Sequence, residues 1–102
     1  FEEDSNKYIF IDINIVNTNL EISIKDSAGG INENIIDRIF EPYFTTKHKS
    51  QGTGIGLYMS EEIITKHFEG KIFVENVKYK YDNKELNGSN FVILLPIKKG
   101  QL

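Results

Sequence analysis

Apolar and polar residues alternate from Tyr8 to Val16. Ile9, Ile11, Ile13 and Ile15 fall on one side, with Tyr8, Phe10, Asp12 and Asn14 on the other. β-Branched residues at period two mark a strand with one face buried. Asn17-Thr18-Asn19 supplies turn chemistry, since Asn tolerates positive φ and bonds its own backbone. Leu20, Ile22 and Ile24 then alternate with Glu21, Ser23 and Lys25. The two runs predict an antiparallel hairpin, apolar on one side and wet on the other.

Asp26-Ser27-Ala28-Gly29-Gly30 breaks the alternation, and its glycines allow a tight turn and close approach of another group to the backbone. Asn32 or Asn34 is placed to cap a short helix running to about Ile39, with Ile35, Ile36 and Ile39 inward and Pro42 as its stop. Residues 43–54 form a long polar segment, of a length more often functional than accidental. The spacing then predicts a helix from about Gly54 to Phe68. Ile55, Met59 and Ile63 make one stripe, and Leu57, Ile64 and Phe68 a second, which implies burial on more than one side. Gly70 is placed to end it. Residues 71–77 and 91–97 read as two more strands, joined by a polar loop over 82–90. The expected fold class is α+β: a two-layer sandwich of a mostly antiparallel four-stranded sheet and one long helix.

A length of 102 residues implies one domain. Hydrophobic residues at 39% and charged residues at 26% describe a globular chain rather than a disordered one. No apolar run approaches the roughly 20 residues that span a bilayer, and no signal peptide is visible. A net charge of −3 argues against a nucleic-acid surface. Cysteine is absent, which removes disulfides and thiolate metal sites.

Three segments carry candidate chemistry. Gly52-Thr53-Gly54-Ile55-Gly56 precedes a predicted helix, where backbone N–H groups and the helix dipole suit an anion such as a triphosphate. No Lys-Ser or Lys-Thr pair follows, so it is not a Walker loop, and no strand leads directly into it as in a dinucleotide fingerprint. Three alternating glycines fit a flexible linker into a helix equally well. Asp26 ends a strand before Ala28, Gly29 and Gly30; a carboxylate there accepts from an exocyclic amine such as that of adenine, although ordinary turn chemistry accounts for such a segment too. In Phe40-Glu41-Pro42-Tyr43-Phe44-Thr45-Thr46-Lys47, the aromatic residues Phe40, Tyr43 and Phe44 suit the ends of a loop, and Lys47 suits phosphate as a point charge. The alternative is a turn with satellite hydrophobic packing.

In this order and at this spacing, the three segments resemble the GHKL-type ATP-binding domain shared by histidine kinases, type II topoisomerases, Hsp90 chaperones and MutL-type repair ATPases. Asp26-Ser27-Ala28-Gly29-Gly30 is similar to that family's adenine-binding Asp-x-Gly-x-Gly box, with Ala28 in place of the first glycine. Ile39 to Lys47 resembles the Phe-rich box particular to histidine kinases, and Gly52 to Leu57 the second glycine box, which closes on the phosphates. Glu62 to His67 resembles the helix that follows it. The resemblance spans about Ile9 to Ile97 and favours the histidine kinase branch.

What the resemblance implies is the C-terminal part of the catalytic domain of a two-component sensor histidine kinase, with ATP and Mg²⁺ as cofactors. The nucleotide contacts carried over are Asp26, Ala28, Gly30, Ile31, Phe44, Thr46, Lys47, Gly52, Thr53, Gly54, Ile55, Gly56 and Leu57. No catalytic side chain and no metal ligand is assigned. The family's first box, a helix whose Asn coordinates Mg²⁺, has no counterpart in these 102 residues, and Asn6, Asn14 and Asn17 do not match it in position. The expectation is a single truncated domain over 1–102, inactive alone, with exposed Ile residues that favour self-association. His48 and His67 lack the His-Glu-x-x-x-Pro context of a phospho-acceptor, which implies a separate His-bearing dimerisation domain and a response regulator as partners. The implied location is cytoplasmic, whether or not the parent is attached to the inner membrane. The competing readings are a degenerate, non-catalytic interaction fragment of the same fold and a topoisomerase-type ATPase; the 39–47 segment and the short span between boxes disfavour the latter.

Overall fold

The computed structural model describes residues 7–44 and 54–97. Strand β1 (Ile9–Val16) turns at Asn17, whose φ is 57°, into β2 (Asn19–Asp26). A short 3₁₀ turn (Ile36–Arg38) and helix α1 (Gly56–Glu62), extended by a π-helical turn (Ile63–His67), follow. Strands β3 (Lys71–Tyr81) and β4 (Lys84–Pro96) complete the described chain. All pairings are antiparallel, in the order β1-β2-β4-β3, so the expected four-stranded sheet is present.

The register fixes the faces. Ile11, Ile24, Phe91 and Val74 lie in one row across the sheet, and Ile13, Ile22, Ile93 and Ile72 in the next. The helical layer packs on this face, with Ile64 of the π-turn buried and Phe40 edge-on to Phe91 at 6.3 Å. The layer covers the β4 side only. Ile9, Ile11, Ile13 and Ile15 on β1 remain 57–64% exposed, although their alternation marks a face for burial. β1 is also an end strand, and among the described residues no strand pairs with its outer edge.

Several expected boundaries shift for physical reasons. Gly54 has φ +74° and stands outside the helix, which therefore starts at Gly56. The helix is shorter than the 54–68 pattern, because Phe68 N–H bonds Ile63 O in a wide turn and Glu69, at φ 56°, reverses the chain. Glu69 and not Gly70 takes the left-handed position. Gly70 is needed for another reason: a Cβ there would collide with the Leu94 carbonyl oxygen. Of the two apolar stripes, Ile64 is buried and Ile55 and Leu57 are half-buried; Met59, Ile63 and Phe68 are exposed. The short helix expected after Asn32 shrinks to the 3₁₀ turn. Asn32 Oδ1 accepts from Asn34 N–H at 2.8 Å, a local turn that competes with helix growth, while Ile35, Ile36 and Ile39 are half-buried as expected.

The expected loop over 82–90 is a strand. Asp82 and Asn83, at φ 53° and 61°, form a two-residue hairpin turn, and Lys84–Ser89 pair with Asn76–Tyr81. The composition of Lys84–Asn90 does not favour a strand, but its cross-strand partners do. β2 pairs with β4 only over Asn90–Pro96, so the remainder continues as a two-stranded ribbon. On the face opposite the helix, the ribbon's Tyr81 packs on Tyr8 and Phe10 with ring centres 4.9 and 4.8 Å apart. Lys25 Nζ lies 4.3 Å from the centre of the Tyr79 ring.

Truncating Ile64 is expected to destabilise the fold by about 2–4 kcal/mol, the usual cost of a core Ile→Ala change. Ile13→Thr on the exposed row should stay within about 0.5 kcal/mol. Urea unfolding of the two variants checks the difference; equal losses would contradict the assignment of the core.

Candidate nucleotide site

Asp26 is the last residue of β2, and its carboxylate is held from both sides of the strand end. Oδ1 accepts from Ala28 N–H at 3.0 Å and from Ser89 N–H at 3.1 Å; Oδ2 accepts from the Ser89 hydroxyl at 2.8 Å. Ser89 is buried, at 4% exposure. Partial burial pushes the Asp26 carboxyl upward, but the hydrogen bonds from Ala28 and Ser89 outweigh it and hold it below the ordinary carboxylate value. The group is thus a fixed anion at neutral pH, with lone-pair capacity on Oδ2 left for an N–H donor.

The space around this carboxylate comes from missing side chains. A Cβ on Gly88 would collide with the Asp26 carbonyl oxygen, and one on Gly30 would lie 2.9 Å from Asn76 Oδ1. Gly29 and Gly30 have φ of 96° and 89°, which a side chain would strain. Ala28 is not in the left-handed region, so a methyl group is accepted where the resembling box has glycine. Ile31 follows, with its N–H bonded to Asn76 Oδ1 at 2.7 Å. Asp26, Ala28, Gly30 and Ile31 are therefore brought together.

The second group lies at the entry to α1. Tyr43 N–H donates to Gly54 O at 2.9 Å, joining the two ends of the intervening segment. Gly54 is fixed there, since a Cβ would sit 2.5 Å from the Phe44 carbonyl oxygen. Phe44 is half-buried, with the Arg38 guanidinium 4.6 Å above its ring. Phe40 and Phe44 thus anchor by packing as expected, whereas Tyr43 anchors through its backbone, its ring being largely exposed. Ile55 and Leu57 are half-buried, and Gly56 opens the helix with free space where a Cβ would stand. Amides in a first helical turn have no carbonyl partner within the helix and remain available to an acceptor. Thr46, Lys47, Gly52 and Thr53 lie outside the described residues.

A cavity of about 610 Å³ adjoins Gly29, Gly30, Asn76 and Gly88, but neither Asp26 nor Gly54–Leu57 lines it. It opens beside the ribbon, where Gly30 and Gly88 border it. The residues around Asp26 fit a purine amine: a fixed anion with an open lone pair, beside glycines that leave the backbone bare. No group of three or more His, Cys, Asp or Glu side chains able to hold a metal occurs among the described residues, so no metal site is assigned to them.

Comparison with known proteins decides the family. A family model described as histidine kinase-, DNA gyrase B-, and HSP90-like ATPase matches residues 2–99. The chain belongs to this ATPase family. A probable C4-dicarboxylate sensor kinase of Halalkalibacterium halodurans is 38% identical over 99 residues, covering 96% of this chain and 17% of the relative. The nucleotide-free catalytic domain of histidine kinase ThkA superposes with a TM-score of 0.70 at 34% identity, covering 89% of this chain and 54% of that one. The same kinase in complex with the response regulator protein TrrA gives a TM-score of 0.63 at 27% identity, covering 91% of this chain and 23% of that one. The chain thus spans less than a fifth of the curated relative and about half of the solved catalytic domain. The fold is that of an ATP-binding kinase catalytic domain.

Sequence reasoning missed Ser89 and Gly88 beside Asp26. The signal was present. Extending the alternation of Phe91, Ile93 and Leu95 backward places Ser89 on their face, and a glycine inside a strand marks close backbone approach.

Because the carboxyl of Asp26 is lowered in the folded state, the folded chain binds fewer protons than the unfolded one in the window beneath the ordinary value of 3.8. Its stabilising contribution is present above that value and is lost as pH falls through the lowered one. Urea midpoints measured from pH 6 downward should fall in the acid range less steeply in Asp26→Asn than in the unaltered chain; parallel curves would contradict the hydrogen-bonded carboxylate.

Proposed function

We propose that this chain is the ATP-binding portion of a sensor histidine kinase, and that its parent transfers the γ-phosphoryl group of ATP to a His on a separate dimerisation domain. The observation that carries the reading is the Asp26 carboxylate, fixed by Ser89 and Ala28 with an open lone pair among glycines, in a chain whose relatives are sensor kinases. Asp26 accepts from the adenine amine, Gly30 and Ile31 admit the ring, and Gly52, Gly54 and Gly56 with Thr53, Ile55 and Leu57 face the phosphates. Phe44 anchors the segment that carries Thr46 and Lys47. Phosphoryl transfer needs positioning and charge neutralisation rather than covalent help from the protein. Mg²⁺ would accompany the triphosphate, drawing on an Asn outside these 102 residues, and no residue here is assigned to it. A response regulator is the downstream partner, by analogy with ThkA. Work on ATP puts the domain in the cytoplasm; no helix among the described residues is long and apolar enough to cross a membrane.

Asp26→Asn in the intact parent is expected to abolish autophosphorylation and weaken ATP binding at least about tenfold, the scale of one charge-assisted hydrogen bond. Calorimetric titration with ATP checks it, and unchanged affinity would remove the adenine role. On its own, the chain of 102 residues is expected to bind ATP weakly or not at all.

The exposed row Ile9, Ile11, Ile13 and Ile15, beside an unpaired strand edge, supports self-association of the chain taken alone. Sedimentation velocity should reveal a concentration-dependent dimer that Ile13→Glu weakens. A clean monomer at high concentration would contradict it.

A further inference from the structure

The loop from Asp26 to Ile31 contains two glycines in left-handed conformations and is intrinsically soft. It is gripped from one side by the β3–β4 ribbon. Gly29 N–H donates to Asn87 O at 2.9 Å, and the Tyr79 hydroxyl donates to Asp26 O at 2.7 Å. The tightest grip is Asn76. Its Oδ1 accepts from Ile31 N–H at 2.7 Å, while Nδ2 donates to Ile31 O at 2.7 Å and to Glu33 Oε1 at 2.8 Å. A side-chain amide that pairs with both backbone groups of one residue copies a strand pairing, fixing rotation as well as distance. The amide's carbonyl and both of its N–H directions are committed to residues 31–33. Gly30 lies directly against it, since a Cβ there would come 2.9 Å from Asn76 Oδ1.

We propose that Asn76 is a positioning residue for purine recognition. This role rests on the ATP-binding reading above. The amide holds Gly30 and Ile31 where a base must pass, so that the base meets Asp26 in one pose. A free loop would have to be ordered on each binding event, at an entropic cost that falls on the ligand. It would also accept a base displaced from Asp26, and guanine, which lacks the amine at that position, would lose its disadvantage. Asn76 touches no reacting atom and acts only through the loop.

The test uses the full-length polypeptide, titrated calorimetrically with ATP and with GTP. In Asn76→Ala, the preference for ATP over GTP is expected to fall about three- to tenfold, as the loss of two or three partly exposed hydrogen bonds implies. Exchange of the Ile31 amide hydrogen should quicken, while that of the paired β2 and β4 amides stays slow. Ile64→Val, which weakens the core without touching the loop, should leave the preference unchanged. If Asn76→Ala does not fold, the isosteric Asn76→Asp, which keeps the acceptor for Ile31 N–H and loses both donors, carries the same expectation. An unaltered preference in the Asn76 variant, or an equal loss in Ile64→Val, overturns the positioning role while leaving ATP binding intact. Failure of the unaltered protein to bind ATP overturns the proposed function itself, and the role with it.

Discussion

The carboxylate of Asp26 is bonded across the β2–β4 boundary to both the N–H and the hydroxyl of Ser89, and most of the site follows from that contact. It can form only because Gly88 has no side chain, since any Cβ would strike the Asp26 backbone. With the strand end fixed, Ala28 N–H closes the turn onto the same carboxylate oxygen, and the chain leaves through Gly29 and Gly30 in conformations that other residues would resist. The lowered proton affinity of Asp26 belongs to the same arrangement. Burial alone would raise it, and the hydrogen bonds reverse the sign.

Around this anchor the fold is thinly packed. Among the described residues, the buried apolar side chains are Ile64, Leu86 and Val92, and no side chain is fully enclosed. The helical layer covers β4 and leaves the apolar row of β1 bare. A strand so rich in Ile is designed for contact, and burial at roughly 25 cal/mol per Å² makes an uncovered row a strong incentive to association. The ribbon supplies a separate source of order. It reaches past the end of β2, packs Tyr81 on Tyr8 and Phe10, and presents Asn76, Tyr79 and Asn87 to the loop that follows β2. A backbone hydrogen bond from Tyr43 to Gly54 joins the segment after the 3₁₀ turn to the entry of α1, so Gly54 is held at a fixed point.

Local patterning alone carried much of this. Period-two alternation in 8–16 and 20–25 gave the hairpin and its faces, because a strand exposes its register directly in its side chains. Asp26-Ser27-Ala28-Gly29-Gly30 stood out as a break in that alternation, and Phe40 to Lys47 and Gly52 to Leu57 as the accompanying boxes that identify the family. The helix boundaries were legible only approximately. Nothing in the pattern distinguishes Gly54 at positive φ from a first helical residue, or Glu69 from Gly70 as the reversing position, since both depend on what the backbone meets: Phe44 in one case and Leu94 in the other.

The tertiary structure alone decided what the candidate residues touch. Ser89, Asn76 and Tyr79 lie 63, 45 and 53 positions from their partners in the loop, too far for any local signal to pair them. The stretch from Lys84 to Asn90 looks like a loop by composition and becomes a strand through its cross-strand partners. Likewise, the sequence marks the Ile row of β1 as apolar, but only packing determines whether a layer covers it. The sequence by itself determined the strand faces, the turn glycines and the family, because these are written in short-range periodicity and spacing. The hydrogen-bond network that turns Asp26 into a fixed acceptor was decided in three dimensions, where distant strands meet.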